Sequence, residues 1–277
     1  EFLSARFSDW ESISAHNRAY IAAAVDLGII TGDMNGTFRP GDPIVRAEVV
    51  AVLYRAFPDD SGVEPNSLSA DNQTAVNSTL TAFFLDVGQG DSCFIELPGG
   101  DTMLIDAGTA AAGSYISDFI KERGHSQIDY VVATHPHADH IGGMDRIFAD
   151  FDVKNMYMPQ VSYDSKTYGR MVEAVENEGC ELTYVTAGLK IEDLPQISAV
   201  FVSPSGGVYS NMNNYSAVLR LDYNDASYLF GGDAEELAEG EILSFGRNVD
   251  ADVLKVGHHG SQTSSTMPFL QAVSPNV

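Results

Sequence analysis

The run THPHADHIGG, residues 134–143, decides how the rest of the chain is interpreted. It follows the apolar stretch 129–134, which predicts a buried strand. Because side chains alternate along an extended segment, His135 and His137 are expected to point to one side, while Asp139 and His140 can turn to a second position nearby. A histidine-rich surface loop is the alternative, but it does not require this spacing. The run therefore predicts a metal site with room for two ions.

Two later segments carry further metal-ligating side chains, each directly after a run of β-type residues. Asp233 ends LFGGD, and its two carboxylate oxygens allow it to bridge two ions. His258 and His259 follow DVLKVG, so five of the seven histidines lie in two short clusters. A plain Gly-Gly-Asp turn is the alternative for Asp233. The co-occurrence of the three segments favours one shared metal centre.

The chain has only two cysteines, Cys93 and Cys180, which excludes a cysteine-based zinc site and a disulfide framework. Any metal must therefore be held by imidazole and carboxylate groups. That donor set suits zinc and also accommodates manganese or iron. We expect two divalent ions, with zinc first and manganese second.

From residue 80 onward, short apolar runs alternate with helical stretches. TAFFLDV, SCFIEL and TMLID predict strands, 112–123 a helix and 129–134 a buried strand. The other predicted helices lie near 141–149, 166–178 and 235–245, and the other predicted strands near 155–158, 181–185, 199–202, 216–222, 227–230 and 251–256. This order suits two sheets packed between helices. The predicted fold class is α/β (α+β), an αββα sandwich.

The C-terminal part of the chain resembles a known family. THPHADHIGG is similar to the HxHxDH signature of metallo-β-lactamase-fold hydrolases. Further segments resemble the extracellular domain of the ComEC competence proteins: FLDVGQGDS, LIDAG, NNYSAVLRL, LFGGDAE and LKVGHHGSQTSS. The resemblance spans residues 80–277.

The resemblance implies two ligand sets and several supporting residues. One ion would be held by His135, His137 and Asp233, and the other by Asp139, His140, Asp233 and one of His258 and His259. The same resemblance implies that Asp106 of LIDAG supports a ligating imidazole from behind. Asp139, His258 and His259 are the predicted catalytic residues. Of the two histidines, the one that does not bind metal could donate a proton to the leaving oxygen.

One departure from the wider superfamily concerns the ligands. The chain has no histidine between His140 and His258, where many members have a further ligand. Asn213 or Asn214 is expected to line the site there, as a weak ligand or a substrate contact. Ser261 is a second candidate proton donor, although support of its loop is the role we favour.

Residues 1–57 read as helix, Gly-rich loop and helix. FSDW, GIITG, GTFRP and RAE resemble an S-layer homology (SLH) module, a family that binds anionic secondary cell-wall polymers. The candidate polymer-binding residues are Asp9, Trp10, Gly32 and Arg46. Arg46 suits a carboxylate or phosphate, and a structural role for Trp10 and Arg46 is the alternative.

Residues 58–79 contain four acidic residues, no lysine or arginine, and frequent serine, asparagine and proline, which predicts an acidic flexible linker. No stretch approaches the roughly 20 apolar residues of a membrane span, and no signal peptide is visible. The chain starts at Glu1 and ends in SPNV, so we expect a piece of a longer protein with the hydrolase domain truncated at its C-terminus. The wall-binding module predicts an extracellular location, in the cell wall or S-layer.

The predicted reaction is hydrolysis of a phosphodiester by water activated between two metal ions. The ComEC resemblance favours phosphodiesters, including DNA. Residues 80–277 nevertheless have 28 acidic and 10 basic residues, a net charge of −18, which opposes a polyanion. A smaller phosphodiester, such as a choline-bearing wall polymer or a nucleotide, is therefore a competing substrate. β-Lactams are disfavoured because only the general fold suggests them. A non-catalytic wall-binding protein with a vestigial hydrolase domain is the alternative function.

Overall fold

Two β-sheets lie face to face in a computed structural model of the chain, which describes residues 79–277 except 193 and 195. The predicted wall-binding residues Asp9, Trp10, Gly32 and Arg46, and nearly all of the predicted linker, lie outside these residues.

The first sheet has six strands in the order β1-β2-β3-β4-β5-β6. Their bounds are Thr81–Phe84, Cys93–Glu96, Thr102–Ile105, Gln127–Val132, Asp152–Pro159 and Glu181–Val185. Strands β1 to β3 pair antiparallel, whereas β3 to β6 pair parallel. The parallel strands β3 and β4 therefore end at the same edge of the sheet, where their following loops meet.

The second sheet has five strands in the order β11-β10-β9-β8-β7. These are β7 Lys190–Ile191, β8 Ile197–Phe201, β9 Leu219–Tyr223, β10 Ala226–Phe230 and β11 Val253–Lys255. Strands β7 to β10 pair antiparallel and β10 pairs parallel with β11. The loops after β10 and β11 consequently leave the sheet at one edge.

Six α-helices and two short 3₁₀ turns accompany the strands in the described part of the chain. They are α1 Gly113–Glu122, α2 Ala138–Ile141, α3 Met144–Asp150, α4 Lys166–Glu178, α5 Glu236–Ser244, α6 Met267–Val273 and the 3₁₀ turns Met212–Tyr215 and Gly257–Gly260. The longest, α4, has 13 residues and ends at Gly179 in a left-handed conformation. Of the helices that the structure describes, none has the length and apolar character needed to cross a membrane.

The core has three layers of apolar side chains, which follow from the two-residue period of the strands. In β3, Leu104 faces the layer shared with α1, α3 and α4, while Met103 and Ile105 face the layer between the sheets. The outer face of the second sheet packs on α5 and α6 through side chains such as Leu229 and Phe269. The predicted αββα sandwich is confirmed.

The predicted helix at 141–149 is wrong in one respect: it is two helices, α2 and α3, separated at Gly142 and Gly143. A Cβ at Gly142 would lie 2.4 Å from the Ala110 nitrogen, and one at Gly143 would lie 2.4 Å from the Ala107 oxygen. Backbone thus packs directly on backbone behind the histidine run. Helical periodicity alone could not show this break. Helix α6 was not predicted, although a proline in its first turn is a typical start signal.

Candidate metal centre

The loop after β4 brings the first three histidines together. His135 and His140 are buried, and His137 is half-buried. His135 Nε2 lies 3.0 Å from His137 Nδ1, so both imidazoles face the same side, as the alternation predicts. The ring centroids of His135 and His140 are 4.2 Å apart. The histidine run therefore folds into a compact group of nitrogen donors.

Asp233, which follows β10, lies between two groups of imidazoles. The first group contains His135 and His137, and the second contains His140. Its Oδ2 is 3.6 Å from His135 Nε2, and its Oδ1 is 3.2 Å from His140 Nε2. The side chain is 2% exposed, and its backbone N–H donates a 3.0 Å hydrogen bond to Ser216 Oγ. Each carboxylate oxygen thus faces a different group, which is the geometry of a bridging ligand.

His258 and His259 follow β11 in a strained turn. Both have left-handed backbone conformations, with φ of 46° and 52°, and the His258 N–H donates a 3.0 Å hydrogen bond to the Gly232 oxygen. His259 Nε2 lies 3.3 Å from His140 Nε2, 3.4 Å from Asp139 Oδ2 and 3.5 Å from Asp233 Oδ1. His259 therefore joins the second group of donors.

His258 occupies a different position at the rim of the site. Its Nε2 is 3.9 Å from Asp233 Oδ2, and its Nδ1 is 3.2 Å from Glu235 Oε1. Glu235 also accepts hydrogen bonds from Asn213 Nδ2 at 2.9 Å and from the Thr263 hydroxyl at 3.1 Å. With 31% of its side chain exposed, His258 can be reached from solvent while Glu235 orients its ring.

Of the other predicted supporting residues, Asp106 and Asn213 contact histidines of the centre, whereas Asn214 and Ser261 bond to other residues. Asp106 Oδ2 is 2.7 Å from His140 Nδ1, on the side of the ring opposite the donor group. Asn213 Nδ2 lies 3.5 Å from His258 Nδ1, whereas Asn214 Oδ1 accepts a 3.2 Å hydrogen bond from the Ala238 N–H. Ser261 Oγ is 3.1 Å from Thr263 Oγ1, within the turn.

Two residues of the site, Asp91 and Glu235, were not predicted from the sequence. Asp91 lies between β1 and β2, its Oδ1 is 3.1 Å from His259 Nδ1, and its Oδ2 pairs with the Lys255 ammonium group. Both acids belong to segments that carried the family resemblance, FLDVGQGDS and LFGGDAE. Their position in those segments was the available signal.

Carboxylates hold positive charge at the second group of donors. Burial lowers the pKa of His140, but Asp106 and Asp233 outweigh it and raise this pKa to about 10. Hydrogen bonds to Asp139 and Asp91 raise the pKa of His259 to about 9. In contrast, burial and the neighbouring histidines lower the pKa of His135 well below its usual value. The carboxylates that raise these two pKa values would also stabilise a metal ion, which has to displace the protons of the imidazoles on binding.

The donor groups fit divalent metal ions. Two sets have ligand atoms within 4.8 Å of one another, namely Asp91, His140, Asp233 and His259, and His135, His137 and Asp233. Asp233 Oδ1 is buried and has no hydrogen-bond partner among the described residues. Ligands at the 2.0–2.1 Å bond lengths of tetrahedral zinc lie about 3.3 Å apart, close to the spacing seen here. A cation would satisfy the buried oxygen and separate the crowded nitrogens.

An αββα sandwich with imidazole and carboxylate donors gathered at adjoining strand ends defines a metal-dependent hydrolase. The model of the Metallo-beta-lactamase superfamily matches residues 85–277, and the chain belongs to this superfamily. The model of the S-layer homology domain matches residues 6–50. The two predicted family resemblances are confirmed.

Curated relatives include a protein named for the ComE operon and one named for competence. The chain is 30% identical over 212 residues to ComE operon protein 3 of Bacillus subtilis, covering 70% of this chain and 27% of that protein. It is 27% identical over 242 residues to competence protein ComA of Neisseria gonorrhoeae, covering 84% of this chain and 32% of that protein. The chain thus spans about a quarter to a third of these relatives' length.

Among solved structures, a Cronobacter sakazakii metallo-beta-lactamase with a HARLDQ motif (mutant S60) matches with a TM-score of 0.44 and 16% identity, over 62% of this chain and 73% of that one. Zn(2+)-bound PqqB from Methylobacterium extorquens matches with a TM-score of 0.40 and 14% identity, over 59% and 58% of the two chains. Both likenesses concern the fold alone.

Proposed function

We propose that this chain is a cell-surface phosphodiesterase that uses two divalent metal ions. The observation that carries the proposal is the position of Asp233, whose two oxygens face separate donor groups 3.6 and 3.2 Å away. Two-metal sites are suited to phosphoryl substrates because the ions can stabilise both the attacking and the leaving oxygen.

The proposed ligands combine the distances around Asp233 and His259 with the family resemblance, which assigns Asp139. The first ion is held by His135, His137 and Asp233, and the second by Asp139, His140, Asp233 and His259. His259 is assigned in preference to His258 because its Nε2 lies within 3.5 Å of three other donor atoms. Zinc is the first choice for these mixed sets of imidazole and carboxylate groups, and manganese the second.

When bound, the ions supply a nucleophile from water at neutral pH and polarise the phosphoryl oxygens. The chain's own part is to orient the ligands and to move a proton. Thr263 Oγ1 and Glu235 Oε1 lie 3.1 and 3.2 Å from His258 Nδ1, which leaves Nε2 at the rim of the site to donate a proton to the leaving oxygen. Ser261 bonds within the turn and supports the loop instead.

The charge of the domain favours a small phosphodiester, or a wall polymer that carries compensating positive charge such as choline, over DNA. Residues 80–277 carry a net charge of −18, and Lys255, the lysine beside the centre, is already paired with Asp91. Two divalent ions add only about four positive charges. DNA is the second candidate substrate, because the relatives include proteins named for competence and one named recombination protein 2.

The domain organisation is part of the proposal. Residues 1–57 would form the wall-binding module, 58–79 an acidic linker and 80–277 the hydrolase domain. The SLH match supports binding to a cell-wall polymer and association with the S-layer at the cell surface. Asp9, Trp10, Gly32 and Arg46 remain the candidate polymer contacts.

The enzyme proposal is tested on the full chain by metal analysis and by turnover of bis-p-nitrophenyl phosphate. We expect about two ions per chain and hydrolysis, with both reduced in His137→Ala. His125→Ala is the matched control, because His125 pairs with Glu96 on the surface of the first sheet. A chain that binds no metal and turns over no phosphodiester supports the alternative, a non-catalytic wall-binding protein.

Substrate class and anchoring need separate experiments. Single-stranded DNA, duplex DNA and small phosphodiesters are compared at fixed salt, and the charge argument predicts the highest kcat/KM for the small substrates. Sedimentation with purified cell walls compares the full chain with residues 58–277. Equal binding by both would contradict the anchoring role of residues 1–57.

A further inference from the structure

Asp91 and Lys255 form a buried ion pair behind His259. The exposed fractions of these two side chains are 8% and 14%. Asp91 uses one oxygen for Lys255 and the other, Oδ1, for His259 Nδ1 at 3.1 Å. Lys255 also donates a 2.8 Å hydrogen bond to the Val256 oxygen. Both carboxylate oxygens are therefore already occupied on the side of His259 that faces away from Asp233.

The loop that carries Asp91 is bound to the histidine run through its backbone. The Asp91 N–H donates a 3.2 Å hydrogen bond to the Asp139 oxygen, and the Asp91 oxygen accepts a 2.9 Å bond from the Gly108 N–H. At Gly90, a Cβ would lie 2.2 Å from the Asp139 oxygen. Asp91 is thus held rigidly against the segment that supplies the other donors.

We infer that Asp91 is a positioning residue: by accepting the Nδ1 proton of His259 and being fixed by Lys255, it commits Nε2 of His259 to the second metal ion. Direct ligation by Asp91 is the alternative, because Asp91 also lies within 4.8 Å of donor atoms of His140, Asp233 and His259. Its two oxygens, however, already contact Lys255 and His259 Nδ1. His259 Nε2 already converges with His140 Nε2, Asp139 Oδ2 and Asp233 Oδ1, which complete a set of four. A ligating imidazole commonly donates its other N–H to a carboxylate, which fixes its tautomer.

The inference rests on the metal binding in the proposed function and is independent of the substrate. In Asp91→Asn, Lys255 is expected to retain the amide oxygen, which turns the NH₂ group toward His259 Nδ1. That arrangement favours a proton on Nε2, which then blocks the metal. We expect the affinity for the second Zn²⁺ to fall by about 10–100-fold, while the affinity for the first changes little.

The experiment titrates the metal-free full chain with Zn²⁺ by calorimetry, for the wild type, Asp91→Asn and Asp145→Asn. Asp145 is the matched control, because its carboxylate pairs with Arg170 on the surface. A selective loss at the second site supports the inference. Unchanged affinity, or an equal loss at both sites that tracks a lower Tm, would overturn it.

The tautomer of His259 is read in the same samples from long-range ¹H–¹⁵N correlation spectra. Zinc-loaded wild type should carry the proton on Nδ1, and metal-free Asp91→Asn on Nε2. A proton on Nε2 in the zinc-loaded wild type would overturn the inference even where the variant does not fold. Failure to hydrolyse phosphodiesters would leave these measurements unchanged, so the two proposals fail separately.

Discussion

Asp106 Oδ2 lies 2.7 Å from His140 Nδ1, and the same carboxylate accepts hydrogen bonds from the Thr134 N–H at 2.8 Å and its hydroxyl at 2.7 Å. All three residues are buried. Asp106 thus ties the end of β3 to the start of the histidine run. It also directs His140 Nε2 toward Asp233.

Replacing Asp106 by asparagine should lower the affinity for the second metal ion by about 10–100-fold, because His140 loses the acceptor that fixes its ring. Zinc competition with a chelating dye measures the change. Asp129→Asn is the matched control, since Asp129 also accepts from the backbone and hydroxyl of a threonine, Thr102. Equal zinc affinity in the two variants would contradict the prediction.

Gly90→Ala should both destabilise the fold and impair metal binding. Gly90 has φ of +130°, and the added Cβ would meet the Asp139 backbone. Gly88→Ala is the control, because Gly88 has φ of +71° with nothing within 4 Å of the added atom. The control should lose only the strain of about 1–2 kcal/mol in unfolding free energy. Urea unfolding and zinc stoichiometry distinguish the variants. Equal unfolding free energies and equal zinc contents in the two variants would contradict the prediction.

His258→Asn should lower kcat while the metal content stays at the wild-type value. The effect should be small for p-nitrophenolate, which leaves without a proton, and about 10²-fold or more for an alkoxide leaving group. Glu235→Gln should give a weaker version of the same pattern, because it loosens the His258 ring. Equal losses for both leaving groups would argue against proton donation by His258.

Removing the metal should lower stability. A metal ion that binds the folded state and not the unfolded state adds about 2.7 kcal/mol to the unfolding free energy when the concentration of free ion is 100 times its Kd. Treatment with EDTA should therefore lower the Tm, and added Zn²⁺ should restore it. His137→Ala should respond less to both treatments. An unchanged Tm of the wild type after EDTA treatment would contradict this prediction.

The stability should also depend on pH through Asp150, remote from the metal centre. Burial raises the pKa of Asp150, but Lys121, Ser117 and Arg146 outweigh it and bring the pKa from 3.8 to about 2. A lowered folded-state pKa means that the stabilisation is complete above 3.8 and is lost as the pH falls toward 2.

Asp150→Asn should thus reduce the unfolding free energy at pH 7, and its difference from the wild type should narrow between about pH 4 and pH 2. Urea unfolding at several pH values measures this difference. Asp145→Asn, an exposed partner of Arg170, serves as the control. A difference that is the same at both ends of this range would contradict the expected role of Asp150.

Strand periodicity predicted the sandwich, and the spacing of His135, His137 and His140 predicted that their side chains gather, because both are local properties of the chain. The sequence also indicated Asp233 and the pair His258 and His259, since each follows an apolar run. It could not separate the two histidines of the pair, because neighbours in sequence have the same local signal.

The contacts between these side chains could be seen only in the folded structure. His259 turns toward His140 and Asp91, while His258 turns toward Glu235, and these contacts span up to 168 residues. The break at Gly142 and Gly143 likewise arises from backbone packing against residues that precede the run. The physical reason is that strand pairing and close packing bring distant loops to one edge, and residue spacing along the chain carries no record of those distances.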